Sequence, residues 1–162
     1  MEIQIKPFLE ILVKVAGLIS SLGFKELAFH KANWDEEKGW LEEEFKGNFL
    51  TSDKYRFDRT YRLILKEHNL GVKGLSLSWI YEAVKRTSEF KNKKWGSDIE
   101  KPCLLLNATQ DRLVSPDGNV EILRRFKNNR IENIESKHEI FMETDLIRNQ
   151  AWEKVDKFLM DL

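Results

Sequence analysis

The sequence has one cysteine, three prolines and three histidines in 162 residues. A lone thiol cannot form an intrachain disulfide, which fits a reducing compartment. Cys103 lies in an apolar stretch and is expected to be a small buried hydrophobe rather than a reactive thiol. The longest uncharged run, residues 15–24, falls far short of the ~20 residues that a membrane-spanning helix needs. Charge of either sign is not in excess, since 27 basic and 27 acidic side chains cancel. No global field therefore favours nucleic acid or an anionic membrane. Cys/His metal-ligand spacing, a Gly-rich phosphate loop and internal repeats are all missing, so neither metal nor cofactor is expected. The N-terminal stretch has no signal-peptide layout, because Pro7 opens its apolar part and Glu10 and Lys14 interrupt it. Cytoplasmic is the default expectation for a globular chain with 41% apolar and 33% charged residues.

What is there concentrates between Pro102 and Asp145. Cys103 to Leu106 are a short apolar run followed by polar residues and Asp111, the pattern of a buried strand that delivers a carboxylate to a loop. A helix follows, with Asp117 as its expected cap and Val120, Ile122, Leu123 and Phe126 on its apolar side. Residues 131–134 read as a second strand, and His138 sits in the polar loop beyond it. A right-handed crossover lays two such strands parallel, which opens both loops at the carboxyl edge of the sheet. An Asp facing a His there can fix the imidazole tautomer, freeing the second ring nitrogen to act as a general base. The unit supplies an acid and a base but no nucleophile.

These residues resemble the C-terminal end of the α/β-hydrolase fold, and within it the lysophospholipase and monoacylglycerol lipase group, which is serine aminopeptidase-like. The matching positions are Asp111, Leu113-Val114, Ser136, His138-Glu139, Met142-Glu143 and Asp145. Residues 48–53 (NFLTSD) and the stretch from Gly74 to Trp79 extend the match over most of the chain. The resemblance implies an α/β class with a partial α/β-hydrolase fold. Residues 1–77 would form a helical lid, and residues 78–162 would supply the last two strands and flanking helices of the parallel sheet. Asp111 and His138 would be the acid and base of a Ser-Asp-His triad. Glu139 and Glu143, the other carboxylates near the histidine, rank as supporting or capping groups.

The sequence departs from that group at the nucleophile. G-x-S-x-G should precede this segment, and the nearest string, GLSLS at residues 74–78, lacks the final glycine and a preceding apolar strand. It reads as a helix entry with Ser78 as the cap. The expectation is a C-terminal half that begins at an internal methionine, with the serine supplied by a complementing N-terminal half. Alone it would be inactive, and aggregated or loosely folded.

Upstream, residues 7–23 carry apolar side chains at helical spacing, and residues 24–49 interleave six aromatics with acidic runs. In the lid reading these aromatics line an acyl-chain channel or rest on a lipid interface; in the plainer reading they pack a small helical core. Residues 58–69 read as a further helix that ends at His68 and Gly71, and His30 has no evident partner. Residues 91–98 are a charged connector, and residues 146–162 a closing helix capped by Asp145. Three functions stay open: a hydrolase of monoacyl lipid esters with at most peripheral membrane contact, another esterase or aminopeptidase-like enzyme of the same fold, and a non-catalytic interaction module.

Overall fold

A computed structural model of the chain describes residues 45–70, 76–90, 92 and 94–162, together with Val15 and Gly17. Apart from Val15 and Gly17, the helix expected over residues 7–23 lies outside the described residues, as do the aromatic and acidic stretch up to residue 44, His30, Gly71 and the start of the GLSLS string. The chain divides into two compact units, one of Met1–Trp34 with Glu67–Asn92 and one of Asp35–Lys66 with Lys93–Leu162.

In the first unit, α2 spans Leu77–Glu89 and follows a 3-10 turn at His68–Leu70. Its cap is Ser76, whose hydroxyl accepts from the Trp79 amide at 3.2 Å. The expected cap, Ser78, is inside the helix, because only Ser76 has extended backbone and lies three residues before an unpaired helical N–H.

The second unit opens with α1, Lys54–Lys66, which begins four residues before the expected start at 58. Asp53 sets that start: its carboxylate accepts from the Arg56 amide at 2.9 Å and its carbonyl from the Phe57 amide at 3.0 Å. Phe57 is buried and packs edge-on to Phe45 and tilted against Tyr61, with ring centroids 5.4 and 4.4 Å away.

A parallel pair of strands follows. β1 (Cys103–Ala108) and β2 (Asn129–Ile134) pair in register from Cys103 with Asn129 to Ala108 with Ile134. Between them runs α3, Pro116–Leu123, capped by Ser115, which accepts from the Gly118 amide at 3.1 Å. Asp117, the expected cap, falls in the first turn. The reason is Pro116, whose fixed φ suits the first helical position and makes the preceding residue the cap. Gly96, in the turn before β1, has φ +89°, and an added Cβ would come within 2.6 Å of the Phe126 ring. Only glycine suits that conformation under that ring.

After the His138 loop comes a 3-10 turn at Ile140–Met142, then α4 at Asp145–Met160. Thr144 takes the cap position, and Asp145 begins the helix instead. Ala151 on α4 is fully buried, and with Phe57, Ala108 and Ile134 makes up the buried apolar core of the described residues. Cys103, expected to be buried, is half-exposed and bonds the Lys101 carbonyl at 3.3 Å. It starts β1, whereas burial concentrates at the strand's other end, in Asn107 and Ala108. The fold is α/β: in the second unit, α3 and α4 pack on a two-stranded parallel sheet. Among the described residues no helix is long and apolar enough to cross a membrane.

Candidate active site

Strand pairing continues past the last ladder residue. The Thr109 amide donates to the Ile134 carbonyl at 2.9 Å and the Gln110 amide to the Ser136 carbonyl at 3.0 Å. Both strands therefore release their loops at one edge, one residue before Asp111 and two before His138. This brings together residues 27 apart in sequence: His138 Nδ1 lies 2.8 Å from Asp111 Oδ2.

The rest of the Asp111 carboxylate is also engaged. Its Oδ1 accepts from the amides of Leu113 at 2.8 Å and Val114 at 3.1 Å, an Asx turn that aims the second oxygen at the ring. The Asp111 side chain is only 5% exposed, and that burial is the largest single influence on its charge, opposing it. The hydrogen bond to His138, the two amide bonds and attraction to the imidazole together outweigh burial and hold the carboxyl below its ordinary range. His138 is 32% exposed. An acceptor at Nδ1 makes Nδ1–H the favoured tautomer, which leaves Nε2 with a lone pair for a proton.

The histidine loop is held from a distant part of the chain. The amides of His138 and Glu139 donate to the carbonyls of Phe49 and Leu50, at 3.3 and 2.8 Å. The Lys137 ammonium reaches the Asn48 and Thr51 carbonyls at 3.2 and 3.3 Å. Thr51, fully buried, donates its hydroxyl to the Met142 carbonyl at 2.6 Å. Glu143 is fully buried as well and accepts from the Ser52 amide at 3.0 Å and the Lys137 amide at 3.1 Å. Arg56 bonds the Glu143 carbonyl, Asp53 and Asp145, and the hydrogen bond to Asp145 is the main reason its pKa is raised. Asp145 is lowered in turn, chiefly by the same bond.

Sequence reading singles out Asp111 and His138 but not the set formed by Asn48, Thr51, Arg56 and Lys137. The signal for Asn48 and Thr51 is the NFLTSD string, which has no local chemistry of its own, and Arg56 and Lys137 lie outside it. Around the pair, Phe49, Leu113 and Val114 are exposed, and the Arg112 guanidinium lies 4.6 Å above the Phe49 ring. Among the described residues no group of His, Cys, Asp and Glu could hold a metal ion.

No protein-family model matches the chain, and no curated protein sequence does. Solved structures do. One is a soluble variant of monoglyceride lipase from Saccharomyces cerevisiae in complex with a substrate analog, similar with a TM-score of 0.62 at 16% identity. The similarity covers 95% of this chain and 50% of that one, so the chain spans about half the length of the lipase. At that identity the likeness is one of fold: this chain has a partial α/β-hydrolase fold.

Proposed function

We propose that the chain contributes the acid and base of a Ser-Asp-His triad in a serine hydrolase that cleaves carboxylic esters of monoacyl lipids, as lysophospholipases do. The observation that carries this reading is the 2.8 Å contact between Asp111 Oδ2 and His138 Nδ1 at the carboxyl edge of a parallel strand pair. The apolar rim of Phe49, Leu113 and Val114 suits an acyl chain, and the fold neighbour is a lipase bound to a substrate analog. In this reading the serine comes from a complementing N-terminal half, and the assembly works in the cytoplasm with at most peripheral membrane contact.

In this reading the residues divide the work as follows. Asp111 holds the ring with Nδ1–H toward itself. Nε2 takes the serine proton as the serine oxygen bonds to the ester carbonyl carbon, then returns that proton to the departing alcohol. Water repeats the sequence on the acyl-enzyme, which releases the fatty acid and restores the serine. Asp111 stays ionised throughout and stabilises the imidazolium that forms twice per turnover.

Co-expression with an N-terminal α/β-hydrolase half that carries G-x-S-x-G tests the proposal. The expected result is hydrolysis of monoacylglycerol or lysophospholipid that falls by roughly 10⁴-fold or more on His138→Ala. Hydrolysis confined to short-chain esters would favour a different esterase of the same fold. A folded but inactive complex would leave the non-catalytic module as the surviving reading.

A further inference from the structure

We propose that Glu143 is the positioning residue of the histidine: its buried carboxylate fixes the His138 ring against Asp111 by clamping the loop to residues 48–53. This deepens the hydrolase reading and rests on it only for what the positioned ring does.

The geometry carries the assignment. Glu143 is fully buried, and each of its oxygens takes a separate backbone amide, Lys137 on one side and Ser52 on the other. Lys137 immediately precedes His138, so one oxygen fixes the 136–137 peptide, one peptide before the unit whose Cα carries the imidazole. Ser52 is 91 residues from Glu143 in sequence and belongs to the segment whose Phe49 and Leu50 carbonyls receive the amides of His138 and Glu139. Both oxygens act as acceptors, a role that the carboxylate fills and an amide cannot. Among the described residues no Lys or Arg donates to those oxygens; Arg56 bonds the Glu143 carbonyl instead. A buried carboxylate without a cation costs stability unless oriented amides satisfy it. Gripping two backbone segments at once is what this side chain does that a better-packed apolar residue could not. Glu139, the other carboxylate beside the histidine, is exposed and, among the described residues, has no hydrogen-bond partner for its side chain.

The test reads the ring and the amides rather than turnover, in the full chain labelled with ¹⁵N. The wild-type chain should show His138 as the Nδ1–H tautomer, with the Lys137 and Ser52 amides exchanging as slowly as those of β2. Glu143→Gln, nearly isosteric, turns one N–H acceptor into a donor. It should speed exchange at Lys137 and Ser52 by about tenfold or more, the loss of a charge-assisted bond. It should also populate the other tautomer, while β2 amides are unchanged; Glu139→Gln should change neither. Three results would overturn the assignment: fast exchange at Lys137 and Ser52 in the wild type, an unaltered ring and amides in Glu143→Gln, or a loss of protection that extends over β2 and so marks a general stability role. Because no reading depends on ester hydrolysis, an inactive complex with a normal Glu143 response would sink the hydrolase proposal and leave this one standing.

Discussion

Asp111 spreads three hydrogen bonds over two oxygens, and the two kinds of bond do different work. The amides of Leu113 and Val114 fix where the carboxylate points, and His138 is what it points at. Because its folded pKa lies below the ordinary value, the ionised form stabilises the fold at every pH above the unfolded pKa of about 3.9. That contribution disappears as pH falls through the folded value. Asp111→Asn should therefore destabilise the chain by ~1–3 kcal/mol at pH 7, with the deficit closing below about pH 4. Urea titrations of both proteins across pH 3–8 measure this, and a deficit that stays constant down to pH 3 would contradict it. The Asp–His meeting is legible in the sequence because it needs only a strand-helix-strand order and the handedness of the crossover. The Glu143 clamp is not, because its Ser52 partner lies 91 residues away and no local pattern marks such a pair.

At the scale of elements, strand and helix existence is readable, while their ends are not. β1 runs two residues past the apolar Cys103 to Leu106, and β2 starts two before Ile131. Of the four added residues, Asn107, Ala108 and Asn129 are poor strand formers, recruited by register rather than propensity. Asn107 even gains a partner across the ladder, bonding Asn133 at 3.0 Å. Caps shift for the same kind of reason, since a cap is defined by backbone geometry and several Ser or Asp residues often stand near it. At α3 the competition between Ser115 and Asp117 can be measured. Ser115→Ala should cost about 1 kcal/mol by removing the bond to the Gly118 amide. Asp117→Ala should cost less, losing only a favourable charge at the helix start. Equal losses in thermal melts, or a larger one for Asp117, would reverse the assignment.

At the scale of the whole molecule, β1 is the element with unfinished business, because among the described residues it pairs with β2 alone. Its three leucines are only half-buried although they form the most apolar run of the segment. β2 differs: Arg130, Glu132, Lys154 and Asp161 link in ion pairs along it, and Glu132 is held below its ordinary pKa first by Lys154 and then by Arg130. Charged residues of this kind discourage pairing at an edge, and β1 has none. The Cys103 and Thr109 amides both donate toward β2, so by alternation the amides of Leu104, Leu106 and Ala108 face the open side. In dilute solution these three should exchange with solvent markedly faster than Leu105 and Asn107. With zero net charge to keep molecules apart, raising the concentration should promote self-association that erases the contrast. Hydrogen exchange followed across a concentration series, with light scattering alongside, reads both effects. A chain that stays monomeric at 19.2 kDa, melts in one sharp transition and protects all of β1 equally would show that the edge is already covered.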